Sequence, residues 1–281
     1  MIRLLALDVD GTLLRRDGLV DERDRRAIDA LHDRGVTVTL VTGRLWAGTL
    51  QVAADVGIRG PVVCADGAEL VDARSGVELE HRGIVAEAAR LLRDGLQRYG
   101  LDAFLMVEDG VLHDASGTRF TRYVRNWSPA LQQTAELFAH PCWTSQRGIA
   151  AVVALGEAAA VSEAADGLRA SGELEVVDFQ VARALVGEQL PPQRALLVHA
   201  RGVSKRSGLV RVAELCGCGR DEVAAVGDWL NDVEMFAAAG RSFAMGHAPE
   251  AVKLAATDRL TADAKTGGGV AEAVAKIWPE G

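Results

Sequence analysis

Short apolar runs alternate with helical patterns at both ends of this 281-residue chain. In the N-terminal part, Asp21 is a candidate N-cap, Gly35 a helix stop and Val36–Val41 a β-branched strand. The predicted elements near the N-terminus are strands 2–8, 36–41 and 61–64 and helices 21–34 and 45–55. After residue 204 the rhythm returns with helix 205–216, strand 223–226, helix 230–238, strand 242–245 and a helix from 269. Strands separated by helices imply right-handed βαβ units, so the pattern predicts an α/β fold with a doubly wound parallel sheet.

The middle of the chain has a different character. Helical patterns at 84–99 and 158–168 lie among short strand candidates at 103–107, 149–155, 174–178 and 196–199. This mixture predicts an α+β domain inserted into a split core. The predicted limits are 1–82 and 201–281 for the core and 83–200 for the insertion.

Composition narrows the class of protein. Hydrophobic residues make up 49% of the chain, enough for a substantial core, and the formal net charge is −8. The acidic balance disfavours nucleic acid or an anionic membrane as the main partner. The four cysteines do not have zinc-site spacing, and Cys216-Gly-Cys218 is interpreted as structural or surface thiols. With no signal peptide or membrane-spanning run recognised, the sequence predicts a soluble cytoplasmic protein.

Two aspartates, Asp8 and Asp10, close the first apolar run. Side chains two residues apart on a strand share a face, and such paired carboxylates repel each other unless a cation or a proton intervenes. Asp8 can attack phosphorus, and Asp10 can protonate the leaving oxygen and then deprotonate water. A solvated turn is the alternative. A calcium-binding EF-hand loop is excluded because its closing glutamate position is Leu19.

Two further motifs suit a phosphate. Thr42-Gly43-Arg44 follows strand 36–41, where a hydroxyl and a backbone amide can meet a phosphoryl oxygen, although Thr42 as a helix N-cap is an alternative. Ser204 is a good N-cap, which places Lys205 in a first helical turn that disfavours cations. A residue that breaks a local rule indicates a functional site, whereas the alternative is a surface lysine.

The fourth motif, Gly227-Asp228-Trp229-Leu230-Asn231-Asp232, follows the apolar strand 223–226. Asp228 can complete a Mg²⁺ site with Asp8 and the Asp10 carbonyl, while helix capping by Asp228 or Asn231 is the alternative. All four motifs lie at predicted strand ends or adjoining helix starts, where ligands bind in open α/β sheets.

With these motifs in order, the chain resembles the haloacid dehalogenase superfamily phosphatases, specifically the Cof-type group with a large type II cap. The resemblance implies that Asp8 is the nucleophile and Asp10 the acid and base. It implies Mg²⁺ on Asp8, the Asp10 carbonyl and Asp228. The phosphate contacts would come from Thr42, Gly43, Lys205 and Asn231. Asp232 and Arg44 would not contact the phosphate but would hold the residues that do. Region 83–200 would be the cap that closes over the site and selects the leaving group.

The chain departs from that family at four positions. The family usually has Asn where this chain has Asp66 and His247, Gly where it has Arg206, and a small residue where it has Trp229. Asp66 and His247 are expected to alter substrate contacts or loop packing. For His247 a surface-loop role is favoured over a general base.

The sequence therefore predicts a Mg²⁺-dependent phosphatase for small phosphorylated metabolites, with sugar phosphates as one option, acting as a monomer or homodimer. A phosphomutase on the same scaffold is the main alternative, and a phospho-accepting signalling protein is a weaker one. Substrate selectivity is expected to depend on side chains of the predicted cap, with these candidates: Arg119, Arg122, Trp127 and Arg183. The arginine-rich surface of the cap either recognises a second anionic group or, as favoured, is solvated.

Overall fold

The computed structural model describes residues 1–108, 110–125, 128–181 and 191–279. The chain divides into two compact units. The first contains Met1–Gly43, Thr49–Leu79 and Ser204–Gly281, and the second contains Arg44–Gly48 and Glu80–Val203. The predicted limits of an inserted cap, residues 83 and 200, stay a prediction.

The helices and strands are numbered in chain order. The strands are β1 Leu4–Leu7, β2 Thr37–Leu40, β3 Pro61–Cys64, β4 Glu69–Asp72, β5 Glu78–His81, β6 Asp102–Val107, β7 Gly110–His113, β8 Leu131–Gln133, β9 Ala151–Glu157, β10 Leu174–Gln180, β11 Gln193–Ala200, β12 Val223–Gly227, β13 Arg241–Ala244 and β14 Asp258–Arg259. The α-helices are α1 Glu22–Asp33, α2 Trp46–Asp55, α3 Ala86–Arg98, α4 Thr121–Val124, α5 Ala158–Ala170, α6 Lys205–Leu215, α7 Asp232–Ala238, α8 Glu250–Ala255 and α9 Gly269–Ile277.

A five-stranded parallel sheet, in the order β14-β13-β12-β1-β2, forms the centre of the first unit. All four residues of β1 are fully buried, as expected for a central strand covered on both faces. On one side the core includes Leu4 of β1, Leu209 of α6 and Phe236 of α7. Helices and strands therefore alternate around a buried parallel sheet, and the predicted α/β fold class is confirmed.

Helix α1 forms as the sequence predicts. Asp21 is its N-cap, with its side chain accepting a hydrogen bond from the Arg23 amide, while Ile28 and Leu31 are buried on its apolar face. Asp24 accepts hydrogen bonds from the amides of Gly268 and Ala271, which ties α1 to the start of α9. The last helix is thereby fixed to the first.

The second unit is built on a six-stranded sheet in the order β10-β11-β9-β6-β7-β8. Its neighbouring strands are antiparallel except for β7 and β8, which run parallel. Helices α3 and α5 contact each other, and a Cβ at Gly95 of α3 would lie 3.4 Å from the Leu168 side chain of α5. Leu92, Leu96 and Val152 belong to the buried cluster that these elements share. This antiparallel sheet with helices confirms the predicted α+β character of the middle region.

None of the helices in the described part of the chain has both the length and the apolar character needed to cross a lipid bilayer.

Candidate active site

The candidate site is built from residues of the first unit. Asp8 follows β1 directly, and its amide donates to the Val226 carbonyl of β12 at 3.0 Å. The Asp8 side chain is only 8% exposed, and its Oδ1 accepts a hydrogen bond from Lys205 Nζ at 2.6 Å. The two residues are 197 positions apart in the sequence, so the tertiary fold alone brings them together.

Lys205 is held at the first position of α6 by its neighbours. Ser204 is the N-cap, and it exchanges hydrogen bonds with Ser207 in a capping box. Lys205 is buried, and its Nζ also donates to Asp232 Oδ1 at 2.7 Å. Burial opposes the charged form, but Asp232, Asp8 and Asp66 outweigh it and raise the pKa of Lys205 above its ordinary value. The surface-lysine interpretation is therefore wrong.

The loop after β12 is folded around Asp232. Its Oδ2 accepts the amides of Asp228 and Trp229 at 2.8 and 2.9 Å, while its Oδ1 faces Lys205. Neither of the capping alternatives holds among the described contacts. Asn231 occupies the N-cap position of α7 without a side-chain capping bond, and the Asp228 carboxylate contacts the side chains of Thr12 and His247. The buried Asp232 carboxylate instead fixes the backbone that presents Asp228.

Three carboxylates lie close together beside Lys205. Asp8, Asp228 and Asp232 are buried, and they each offer an oxygen within 4.8 Å of the others. Burial, and then repulsion from Asp232 and Asp228, raises the pKa of Asp8 well above its ordinary value, although Lys205 acts in the opposite direction. One lysine does not balance three buried carboxylates, so the site fits an additional hard cation with oxygen ligands. Asp232 accepts three of the described hydrogen bonds, from Lys205 and from the amides of Asp228 and Trp229. Asp8 and Asp228 accept fewer, so they retain more acceptor capacity and are the better ligands.

Gly11 provides the space for this arrangement. Its φ is +84°, and a Cβ at this position would lie 2.6 Å from Asp228 Oδ2. Thr12 Oγ1 donates to Asp228 Oδ1 at 3.1 Å. Asp10, whose side chain is the predicted acid and base, lies at the exposed start of the same turn, where it pairs with Leu14. The turn after β1 therefore supplies a buried carboxylate, an exposed one and a hydroxyl that holds Asp228.

The predicted phosphate-binding residues meet around Asp66. The Asp66 amide donates to the Thr42 carbonyl at 2.9 Å, and Asp66 Oδ1 accepts a hydrogen bond from Asn231 Nδ2 at 2.9 Å. A Cβ at Gly43 would lie 3.0 Å from Asp66 Oδ2. Thr42 lies before α2 begins at Trp46, so it is not the N-cap of that helix. The structure therefore brings Thr42, Gly43 and Asn231 together through Asp66.

The backbone at Asp66 is strained. Ala65 and Asp66 have φ values of 45° and 50°. These values lie in the left-handed region, which residues other than glycine rarely adopt. Such strain is concentrated at functional sites, where the surrounding structure enforces it. Asp66 is buried as well, and its carboxylate lies against Gly43 and Asn231.

A comparison with protein families shows which family the chain belongs to. A family model described as haloacid dehalogenase-like hydrolase matches residues 5–142 and 190–274, which include all four motifs. The chain belongs to the haloacid dehalogenase-like hydrolases.

Relatives and solved structures agree with this family. A 5-amino-6-(5-phospho-D-ribitylamino)uracil phosphatase of Bacillus subtilis is 27% identical over 97% of this chain and 94% of its own. A phosphoglycolate phosphatase of Halorubrum lacusprofundi is 30% identical over 94% of this chain and 92% of its own. A haloacid dehalogenase-like hydrolase from Bacteroides thetaiotaomicron shares the fold, with a TM-score of 0.79 and 23% identity over 99% of this chain and all of its own.

Two departures from the usual haloacid dehalogenase-like pattern lie inside the site. Asp66 contacts Asn231, as described, and His247 Nε2 lies 3.0 Å from Asp228 Oδ2. His247 is on an exposed loop, as the sequence analysis favoured, but its side chain is only 25% exposed and contacts the site. The sequence analysis expected both residues to alter substrate contacts or loop packing, but it predicted neither of these two contacts. The only available signal was that both positions depart from the family's usual asparagine.

The other predicted residues have separate positions. Arg44 groups with the second unit, where its Nη1 donates to the Gly48 carbonyl at 3.0 Å, and its supporting role stays a prediction. Arg119 Nε donates to Asp102 at 3.1 Å and its guanidinium lies over the Phe120 ring, which gives it a packing role, while Arg122 is exposed. Trp127 and Arg183 lie outside the described residues.

Proposed function

We propose that the protein hydrolyses phosphomonoesters of small metabolites, with Mg²⁺ and through an aspartyl-phosphate on Asp8. It belongs to a hydrolase family whose curated relatives named above are phosphatases, so it is a phosphoric monoester hydrolase. The single observation that supports the mechanism is the buried contact of Asp8 with Lys205 beside Asp228. A carboxylate suited to be the nucleophile, a cation and a candidate metal ligand lie together beside the carboxyl ends of β1 and β12.

In the proposed reaction, Asp8 attacks phosphorus and the bond to the ester oxygen breaks. Lys205 donates to Oδ1, which leaves the other oxygen of the Asp8 carboxylate better suited to the attack. Asp10 gives its proton to the departing oxygen, then takes one from the water that hydrolyses the aspartyl-phosphate. Free phosphate and an alcohol leave, and both aspartates return to their starting states.

Mg²⁺, when bound, would reduce the repulsion between the Asp8 carboxylate and the phosphoryl oxygens. Asp8 and Asp228 would hold it, and the Asp10 carbonyl is the third predicted ligand. Lys205 places a second positive charge beside the nucleophile. Asn231, fixed by Asp66, and Thr42 with Gly43 would contact the phosphate.

Several finer expectations stay predictions. These are sugar phosphates as substrates, leaving-group selection by the region 83–200, a cytoplasmic location and a monomeric or homodimeric state. The phosphoribitylaminouracil and phosphoglycolate esters named for the two relatives are suitable substrates to test first.

The test is phosphate release from a panel of phosphomonoesters with Mg²⁺, for the wild type and Asp8→Asn. We expect turnover to fall by at least about 10⁴-fold in Asp8→Asn, because the amide is a poor nucleophile. Asp29→Asn is the matched control, since Asp29 is exposed on α1, and it should keep wild-type turnover.

Acid-quenched wild-type protein should also contain an acyl-phosphate that hydroxylamine removes, and Asp8→Asn should contain none. Equal turnover of the wild type and Asp8→Asn would refute the mechanism. Isomerised substrate without free phosphate would instead identify a phosphomutase.

A further inference from the structure

His247 is held at both nitrogens of its ring. Its Nδ1 lies 3.2 Å from the Ala264 amide, and its Nε2 lies 3.0 Å from Asp228 Oδ2. Because a backbone amide only donates, Nδ1 is the acceptor in that pair. The ring proton of the neutral imidazole is therefore on Nε2, where it is donated to Asp228.

The loop that presents His247 is fixed by backbone contacts. The Met245 amide donates to the Gly227 carbonyl at 3.0 Å, and the Gly246 amide donates to the Ala262 carbonyl at 2.8 Å. A Cβ at Gly246 would lie 2.7 Å from the Thr261 carbonyl oxygen, so the loop fits closely against its neighbour. These contacts set the imidazole in one place relative to the end of β12.

The Asp228 carboxylate is consequently held from two sides. Thr12 Oγ1 donates to Oδ1 at 3.1 Å, and His247 Nε2 donates to Oδ2. Each carboxylate oxygen can accept more than one interaction, so these bonds leave Asp228 able to bind a cation. They restrict rotation of the carboxylate, whose oxygens face a region shared with Asp8.

We propose that His247 is a positioning residue for the metal site, because its Nε2 proton holds the Asp228 carboxylate in the orientation that binds Mg²⁺. The proposal depends on the proposed function, which assigns Asp228 as a ligand. His247 acts through Asp228, and hydrogen bonds of this kind to a ligand typically change metal affinity by about 10- to 100-fold.

Three substitutions separate the two ends of the ring. His247→Gln keeps a donor at the position of Nε2. His247→Asn keeps an acceptor for the Ala264 amide but does not reach Asp228. His247→Ala removes both. His32→Asn, on α1 and away from these contacts, is the control for loss of a histidine.

The measured quantity is the affinity of substrate-free protein for Mn²⁺. Free Mn²⁺ is quantified by its electron paramagnetic resonance signal, and Mg²⁺ is added as a competitor. We expect about 10- to 100-fold weaker binding in His247→Asn and His247→Ala, and a change below about threefold in His247→Gln and His32→Asn. Melting temperature without metal is measured alongside. A packing role alone would lower it and leave the Mn²⁺ affinity unchanged.

Wild-type affinity in His247→Asn, or equal weakening in His247→Gln and His247→Asn, would overturn the proposal. The comparison of His247→Gln with His247→Asn still tests the proposal if His247→Ala does not fold. A wild type that binds neither ion would refute the proposed function as well. A wild type that binds the ions and releases phosphate, with unchanged affinity in the variants, would refute only the role of His247.

Discussion

The neighbouring strands β1 and β12 have charged residues at both of their ends, but the two ends differ in burial. Arg3 and Glu222 precede the strands, and their ion pair of 3.2 Å has side chains that are 53% and 33% exposed. Asp8 and Asp228 follow the same strands, and the Asp8–Lys205 pair of 2.6 Å has side chains that are 8% and 2% exposed. Strands β1 and β12 pair in one continuous register, from Leu4 opposite Val223 to Leu7 opposite Val226. The difference in burial between the two ion pairs therefore arises from the residues that cover each end of the strands.

An exposed ion pair keeps most of its hydration and contributes little to stability. A buried ion pair loses that hydration, so replacing it with two apolar side chains of the same size often leaves the stability of the fold unchanged. Buried carboxylates in excess of buried lysines are therefore poorly explained by folding alone. This contrast supports the proposal that the carboxyl ends of these strands bind a cation and an anion, whereas the amino ends hold an exposed ion pair.

The largest expected effect comes from replacing the buried cation. Lys205→Met should lower the free energy of unfolding by about 3–5 kcal/mol, because it removes the positive charge that contacts the buried carboxylates of Asp8 and Asp232. Arg3→Met is the matched change at the amino end and should have a much smaller effect. Guanidinium chloride unfolding at pH 7 without metal measures both. Equal losses in the two variants would remove the distinction between the two ends.

A smaller effect is expected from two glycines with similar backbone conformations. Gly11, after β1, has φ +84° and Gly35, before β2, has φ +72°. Gly11→Ala should cost about 2–3 kcal/mol, since backbone strain is joined by a Cβ contact 2.6 Å from Asp228 Oδ2.

Gly35→Ala should cost about 1 kcal/mol, since the added Cβ has no neighbour within 4 Å. Phosphate release should fall in Gly11→Ala and persist in Gly35→Ala. Unfolding and turnover assays measure the two quantities, and equal behaviour of the variants would contradict the close approach at Gly11.

The smallest effect concerns the pH dependence of the exposed end. Hydrogen bonds from the Gly219 amide and then from Arg3 lower the pKa of Glu222 below its ordinary value of 4.5. A carboxylate with a lowered pKa stabilises the fold fully above its unfolded pKa, and the contribution disappears as the pH falls through the folded pKa.

The melting temperature of Glu222→Gln should therefore lie slightly below that of the wild type at pH 7, and the gap should close at acidic pH. Thermal unfolding from pH 7 to pH 3 measures it. Glu163→Gln, exposed on α5, is the control. A gap that stays constant with pH would show that the charge of Glu222 is not its source.

Strong local patterns predicted most of the fold. Helix α1 is the clearest example, because Asp21 caps it and Ile28 and Leu31 are buried as expected. Five short strands were missed: β4, β5, β7, β8 and β14. Strands β5 and β8 read Glu-Leu-Glu-His and Leu-Gln-Gln and are largely polar or exposed, whereas β4 and β7 are mostly buried but too short to give a clear pattern. Their backbone pairing depends on a neighbouring strand rather than on an apolar run.

By itself the sequence determined the order of strands and helices and the polar motifs at their ends, since both follow from local periodicity and turn chemistry. It also pointed to Asp8, Lys205 and Asp228 as members of one site. Only the tertiary structure decided that Asp232 holds the Asp228 loop and Lys205, that Asp66 holds Asn231 and that His247 holds Asp228. The physical reason is that a hydrogen bond requires two groups to meet within about 3 Å. For Asp66 and Asn231, 165 residues apart, that meeting depends on the packing of the whole unit.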